Sequence, residues 1–290
     1  MKLDGRRESS NVEDRRGMST GTKAGIGGLA GIIIVALMTF MSGGNLGDVI
    51  SNVIQNGGLS MQEETVEGQR EFTPEEQELA KFSRQVLAST EDVWTKVFKQ
   101  MGKEYTPPTL VLFTGSVNSA CGQASASVGP FYCSGDQKLY IDLSFFMDMK
   151  RQLGADGDFS YAYVIAHEVG HHVENLLGIL GAAHSKMNGV SKTEANKISV
   201  RLELLADYYA GVWGHYENQS WRSLEAGDIE EAIDCAEKIG DNYLQKKATG
   251  RVMPESFTHG TSAQRMRWLK RGLDTGDMNT TTFGVAESQL

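Results

Sequence analysis

The segment that decides the fold is Tyr163-Val-Ile-Ala-His167-Glu168-Val-Gly-His171-His172, near the middle of a 290-residue chain. Residues four apart on an α-helix share a face, so His167 and His171 can offer imidazole nitrogens to one metal ion. Glu168 lies next to that face, where its carboxylate can take a proton from metal-bound water. The spacing therefore predicts a zinc-binding helix with Glu168 as general base. His172 projects about 100° away from His171 and is not expected to bind the same ion.

The third metal ligand is predicted further along the chain, because a catalytic zinc site keeps three protein ligands and one open position. The metzincin pattern needs Gly at position 174 and His at 177, where this chain has Glu174 and Leu177. The stretch Arg201-Leu-Glu-Leu-Leu-Ala-Asp-Tyr-Tyr-Ala-Gly211 instead places Glu203 and Asp207 on one face of a mostly apolar helix. Two carboxylates there are costly to bury without a cation. We therefore expect Glu203 to bind the metal and Asp207 to hydrogen-bond a ligating histidine. A surface acidic pair, or Asp207 as the ligand, are the alternatives.

A second histidine element lies downstream, in Ser256-Phe-Thr-His-Gly-Thr-Ser-Ala-Gln-Arg265. Thr261 and Gln264 fit a capping box, which places His259 just before a helix. A histidine in such a loop can donate a hydrogen bond to the oxyanion of a tetrahedral intermediate. The alternative is a helix-flanking histidine with no catalytic part.

Hydrophobic periodicity predicts an α+β domain that is mostly helical, with a small sheet, over residues 72–276. A capping signal at Thr73-Pro74 starts a helix that runs to about Gln100. Further helices are expected near 159–178, 192–216, 228–247 and 261–274, strands at 109–113 and 138–143, and a frayed polar tail at 277–290. The strand at 138–143 is the expected sheet edge for pairing with an extended peptide substrate.

Three cysteines give one candidate disulfide. Cys121 and Cys133 lie in a stretch rich in Gly, Ser and Ala, and outside the cytoplasm they are expected to pair. The short loop they close would stabilise the fold by about 3 kcal/mol on the chain-entropy model. Two free thiols are the alternative for a cytoplasmic domain. Cys235 is expected to be a buried helix residue.

The N-terminal region predicts a membrane anchor. Residues 24–41 carry no charge and, as a helix, would span about 27 Å, close to the ~30 Å hydrocarbon core. A basic arm over residues 1–23 precedes them, and a flexible tether over 42–71 follows. The positive-inside rule places the N-terminus in the cytoplasm and the catalytic domain in the periplasm or outside the cell, on a single pass through the inner membrane. A buried core helix and a cleaved signal peptide are less consistent with these flanks.

The net charge of the chain and one pair of glycines indicate which partners it can bind. The whole chain has a formal charge of −9, which excludes a broad groove for nucleic-acid phosphates. Gly27 and Gly31 form a small-xxx-small pair that would let two anchors pack together.

Four segments resemble the bacterial family of neutral zinc metallopeptidases: GRRESSNVEDRR, VIAHEVGHHVENLLG, RLELLADYYAGVW and ESFTHGTSAQR. The resemblance covers nearly the whole chain, and the Glu-x-x-Ala-Asp element of its third segment is similar to the gluzincin pattern of membrane-associated zinc proteases. It implies one Zn²⁺ per chain, with Glu203 as third ligand and His259 as transition-state donor. It also implies that Arg265 orients site residues.

The sequence therefore predicts a membrane-anchored zinc metallopeptidase, in which zinc-bound water attacks the peptide bond of a peptide or protein substrate. The alternative is an anchored scaffold or binding protein that uses zinc only for folding. An open fourth position on the metal favours the enzyme, whereas a fourth protein ligand such as His259 favours the scaffold.

Overall fold

The computed structural model describes residues 1–17, 71–125 and 128–290. The predicted anchor at 24–41, with its glycine pair, and nearly all of the predicted tether lie outside the described residues. Within the described ranges, no helix combines the length and the apolar character needed to cross a bilayer.

The described chain is mostly helical with a small sheet, in agreement with the predicted α+β class. The helices are α1 Pro74–Gln100, α2 Ser144–Asp148, α3 Asp158–Leu176, α4 Ile179–Met187, α5 Lys192–Trp221, α6 Asp228–Lys238, α7 Asp241–Thr249 and α8 Ser262–Thr275. The strands are β1 Val12–Asp14, β2 Thr109–Phe113, β3 Ser116–Ser119, β4 Gly122–Ser125, β5 Phe131–Cys133 and β6 Lys138–Asp142. A π-helical turn at Met149–Leu153 and 3₁₀ turns at Pro254–Ser256 and Glu287–Gln289 complete the assignment.

The larger sheet has the strand order β1-β2-β6-β5, and β3 and β4 form a separate antiparallel hairpin. Strands β1, β2 and β6 are parallel, whereas β5 runs antiparallel to β6. The prediction that residues 138–143 form a sheet edge is therefore wrong, because β6 is hydrogen-bonded on both sides. The edges of the described sheet are β1 and β5.

Local signals set most helix boundaries. Thr73 caps α1 with the capping box that the sequence predicts, and Pro74 occupies the first turn. The helix predicted over 228–247 is instead two helices, α6 and α7, separated at Gly240. A Cβ atom at Gly240 would lie 2.4 Å from the backbone nitrogen of Ser262, so the close approach of these two loops requires glycine.

The core lies where α3, α5 and α8 pack together. Trp213 and Trp268 are almost completely buried in it. Helices α5 and α8 approach so closely that a Cβ on Gly272 would lie 2.1 Å from the carbonyl oxygen of Tyr208. This tight packing fixes α5, which carries the predicted acidic residues, against the rest of the domain.

The C-terminal segment does not fray, contrary to the sequence prediction. Thr282 is fully buried, and its hydroxyl donates to the carbonyl oxygen of Arg201 at 2.6 Å. The Arg201 guanidinium donates to the carbonyl of Val285 at 3.0 Å, and Leu290 is also buried. Contacts to α5 therefore order a segment whose polar composition gives no local sign of structure.

Residues 1–17, predicted as an arm separate from the domain, instead belong to it. Strand β1 pairs with β2, with Val12 opposite Leu110. The arm also packs on α1 and α5, where Arg6 donates to Glu217 at 2.6 Å. No local signal predicts this packing, because β1 has only three residues and its partner strand begins about a hundred residues later.

The Arg6–Glu217 pair should make a measurable contribution to stability. Glu217 is fully buried, and apart from Arg6 it accepts hydrogen bonds only from the hydroxyls of Ser89 and Ser223 among the described contacts. Arg6→Ala leaves this carboxylate without its cation, and we expect the free energy of unfolding to fall by about 2 kcal/mol.

Chemical denaturation measures the effect, with Arg151→Ala as the control. Arg151 pairs with Asp148 on the surface, so its loss should cost no more than about 0.5 kcal/mol. Equal effects of the two substitutions would contradict the docking of the arm.

Candidate metal centre

Helices α3 and α5 bring together three of the predicted site residues, His167, His171 and Glu203. The Nε2 atom of His167 lies 3.1 Å from Oε2 of Glu203, and Nε2 of His171 lies 3.5 Å from Oε1 of the same carboxylate. One ligand atom from each of the three residues lies within 4.8 Å of the other two. Two imidazoles and a carboxylate converging in this way form a donor set that suits zinc.

The Nδ1 atom of each histidine, on the other side of the ring from Nε2, contacts a further carboxylate. Nδ1 of His167 lies 2.8 Å from Oδ1 of Asp207, and Nδ1 of His171 lies 2.9 Å from Oε2 of Glu174. An Nδ1–H that donates to a carboxylate leaves the Nε2 lone pair free. Two such lone pairs facing Glu203 at close range are stable only with a proton or a cation between them. This arrangement therefore fits a bound metal ion.

The charged groups around the site shift the pKa values of His171 and Glu203 toward their ionised forms. Burial opposes protonation of His171, yet Glu203 and Glu174 raise its pKa well above the usual value. Burial likewise opposes ionisation of Glu203, but the nearby His259 and His171 hold its pKa well below the usual range.

Glu168 lies beside His167 on α3, and burial of its side chain raises the pKa of its carboxyl. A carboxylate with a raised pKa is suited to accept and return a proton.

Asp207 contacts Nδ1 of His167, and hydrogen bonds from other buried side chains fix its own position. It is fully buried and accepts hydrogen bonds from Nε and Nη2 of Arg265, both at 2.8 Å, and from the Tyr163 hydroxyl at 2.6 Å. Burial opposes its ionisation, but Arg265 lowers the pKa of the Asp207 carboxyl. The alternative of an exposed acidic pair is excluded by this burial. The alternative of Asp207 as a ligand does not fit, because Asp207 faces Nδ1 of His167 and not the shared Nε2 position.

His259 lies in the loop before α8, as the sequence predicts, and its side chain is half exposed. Its Nδ1 lies 2.9 Å from the Thr258 hydroxyl and 3.3 Å from Oδ1 of Asp241. Oδ2 of Asp241 accepts hydrogen bonds from three consecutive backbone N–H groups, those of Thr258, His259 and Gly260. Asp241 therefore holds the loop that carries His259. Sequence analysis missed it, because α7 meets this loop only through tertiary packing.

Sequence analysis also missed Glu174, although a local signal was available. Glu174 lies three residues after His171, which places the two on neighbouring positions of one helix face. It is fully buried, and Oε1 has no hydrogen-bond partner. Burial raises the pKa of Glu174 to about 7. Its one described partner is thus the imidazole of His171.

His172 lies outside the metal group, in agreement with its projection on the helix. It is fully buried, with Nε2 at 2.7 Å from the carbonyl oxygen of Thr106 and Nδ1 at 3.0 Å from the Tyr132 hydroxyl. The imidazole thus donates to Thr106 and accepts from Tyr132. These bonds fix edge strand β5 against the helix that carries the metal ligands.

A disulfide joins Cys121 and Cys133. Cys133 is the last residue of β5, so the bond ties this edge strand to the turn between β3 and β4, where Cys121 lies. Cys235 is free and buried on α6.

Gly170 permits the approach of α3 to α5. It lies between His167 and His171, and a Cβ at this position would lie 2.8 Å from the carbonyl oxygen of Ala206 and 3.0 Å from its Cα. Both contacts are with backbone, which cannot move without shifting the whole helix. The glycine of the motif therefore sets the distance between the histidines and Glu203.

Gly170→Ala should accordingly separate the two helices. We expect it to lower the free energy of unfolding by about 1–3 kcal/mol, the cost of overpacking a core. Gly181→Ala is the matched control, because Gly181 is also helical and has nothing within 4 Å of its Cβ position. It should raise the stability by up to ~1 kcal/mol through helix propensity. Chemical denaturation measures the change in the free energy of unfolding for both variants. A Gly170→Ala protein as stable as the parent chain would contradict the close approach of α3 to α5.

Comparison with known proteins agrees with this geometry. The model of the family described as "Putative neutral zinc metallopeptidase" matches residues 1–283. The chain belongs to this family. It is 47% identical to the uncharacterized protein YpfJ of Escherichia coli (strain K12), over 98% of this chain and 99% of that protein. It is also 42% identical to the uncharacterized protein Rv2575 of Mycobacterium tuberculosis (strain H37Rv), over 66% of this chain and 67% of that protein. No solved structure matches it.

Proposed function

We propose that this protein is a gluzincin-type zinc peptidase that cleaves peptide bonds with one Zn²⁺ held by His167, His171 and Glu203. The observation that carries the proposal is the convergence of two Nε2 atoms on the Glu203 carboxylate, each with its Nδ1 tied to another buried carboxylate. Such outer partners fix the tautomer and the orientation of a ligating histidine. Three protein ligands leave the fourth position open for chemistry.

The roles of the surrounding residues follow from their positions. Bound zinc supplies the Lewis acid that activates water and polarises the substrate carbonyl. Glu168 takes the proton of the attacking water and passes it to the leaving amine. His259 donates a hydrogen bond to the oxyanion, in an orientation that Asp241 maintains. Arg265 acts through Asp207, whose position it fixes by two hydrogen bonds.

Strand β5 takes the place of β6 as the proposed edge for the substrate backbone. It is an edge of the described sheet, and it lies along α3 because the Tyr132 hydroxyl contacts His172 and also accepts a hydrogen bond from Asn175 at 3.1 Å. An extended peptide paired with β5 would gain main-chain hydrogen bonds. The proposed substrate is therefore an extended segment of a peptide or protein.

Attachment to the membrane through residues 24–41 is also part of the proposal, whether or not this segment crosses the bilayer, as is self-association through Gly27 and Gly31. The support is the uncharged apolar sequence itself. Sedimentation with membranes, resistant to salt and alkaline carbonate, tests the attachment. Recovery of the full chain in the supernatant would overturn it.

The proposed activity is tested on the purified full chain in mild detergent. Metal analysis should give one zinc per chain, and a random peptide library should be cleaved in a reaction that a strong chelator stops and added zinc restores. Zinc bound without cleavage would support the scaffold alternative. A folded chain without tightly bound zinc would overturn the proposal.

Glu174 should contribute to zinc affinity through His171. Glu174→Ala removes the acceptor for Nδ1–H, and we expect zinc affinity to fall by about 10–100-fold, as for other outer-shell partners. Glu174→Gln keeps an acceptor oxygen and should lose less. Competition with a chromogenic chelator measures both variants. Unchanged affinity in Glu174→Ala would show that the contact does not orient the histidine.

A further inference from the structure

The described chain leaves the domain at Gly17 and returns to it at the same point. The Arg16 guanidinium stacks over the Phe72 ring, 4.2 Å from its centroid. A Cβ on Gly17 would lie 3.5 Å from Cζ of Phe72. The two ends of the intervening 18–70 segment therefore meet on one patch of the domain surface.

The arm formed by residues 1–17 is held along its length by backbone contacts. Leu110 donates its backbone N–H to the carbonyl of Asn11 at 2.9 Å, which extends the sheet to β1. The backbone N–H of Ser9 donates to the carbonyl of Arg84 at 3.0 Å, and the Gln85 side chain donates to the carbonyl of Leu3 at 3.0 Å. Such bonds form only when the arm and the domain are in direct contact.

The domain also depends on the arm for the partners of its buried acids. Glu217 is fully buried and has Arg6 as its cation. Glu91 is nearly buried and accepts from the hydroxyl of Ser9 at 2.6 Å and the amide of Asn11 at 2.7 Å. Without the arm, both carboxylates would lose these partners and would be left as buried charges that nothing compensates. The basic residues of the arm are thus used within the fold.

We infer that residues 1–17 and the domain from residue 72 onward occupy the same side of any membrane to which the chain binds. A chain that crosses a bilayer once has its two flanks on opposite faces. Residues 18–70 contain a single uncharged apolar stretch of spanning length, at 24–41. The folded state and a single pass with a cytoplasmic N-terminus and an external domain therefore exclude each other. The inference does not depend on the proposed peptidase activity.

Two variants of the full-length chain, each with one added cysteine, test the inference. Ser10→Cys places a thiol on an exposed position of the arm, and Ser185→Cys places one on an exposed position of α4. A membrane-impermeant maleimide is added to intact spheroplasts and, in a second sample, after lysis. We expect both reporters to label before lysis, or both only after it. Labelling of one reporter before lysis and of the other only after it would overturn the inference.

The parent chain sets the background, because Cys121 and Cys133 are paired and Cys235 is buried. A second measurement detects docking directly in the same samples. Lys138 Nζ lies 2.5 Å from Oε1 of Glu13, so a zero-length carbodiimide should join them in a cross-linked peptide visible by mass spectrometry. The Glu13→Gln chain should lack that peptide. Its absence from the parent chain would also count against the inference.

Discussion

Glu168→Gln should leave zinc bound and reduce peptide cleavage by about 10²–10⁴-fold. The amide keeps the size of the side chain but cannot take the proton of the attacking water, and general-base catalysis of this kind contributes about 10²–10⁴-fold. Glu168 is buried beside His167 and does not belong to the group of candidate ligand atoms. The loss should therefore appear in kcat, with the zinc content unchanged.

The measurement is a steady-state assay on a peptide selected from the library, with metal analysis of the same preparation. Glu230→Gln is the control, because Glu230 is exposed in the first turn of α6 and should keep full activity. Turnover of Glu168→Gln at the parent rate would remove Glu168 from the mechanism. Loss of zinc together with activity would assign Glu168 a role in binding the metal.

Glu203→Ala should abolish stoichiometric zinc binding. It removes the carboxylate on which both Nε2 atoms converge, leaving two neutral nitrogen ligands. Loss of a direct ligand should reduce affinity by more than the ~100-fold upper end for an outer-shell partner. Dialysis against a weak chelator, followed by metal analysis, should find one zinc in the parent chain and almost none in the variant.

The matched control is Glu194→Ala on the same helix. Glu194 is exposed and pairs with Lys197, so its removal should not alter zinc content. Circular dichroism of Glu203→Ala establishes that the metal-free chain is folded. Full zinc content in a folded Glu203→Ala protein would show that another residue supplies the third ligand.

Features with local causes could be predicted from the sequence. The N-terminal ends of α1 and α8 follow from capping boxes, because Thr73 and Thr261 form hydrogen bonds with residues only three positions away. His167 and His171 are recognisable as a pair because helix geometry alone brings them together. The pairing of Glu203 with this helix needed the additional argument that buried carboxylates require a cation.

Features that depend on distant contacts could not be predicted in this way. Strands β1 and β5 have three residues each, too few for a periodic pattern, and only their neighbours in the sheet make them strands. Asp241 looks like an ordinary first-turn acid of a helix until the fold places three N–H groups around it. The ordered C-terminal segment likewise depends on Arg201, about eighty residues earlier.

The partnership of Arg6 with Glu217 has a consequence for biosynthesis. The two residues are 211 positions apart, so at about 5–20 residues per second the ribosome makes Glu217 some 10–40 s after Arg6. Throughout that interval Arg6 lacks its partner on α5, and the incompletely docked arm is open to chaperones and proteases. Arg6 therefore reaches its native contacts only after the ribosome has made α5, long after Arg6 itself was synthesised.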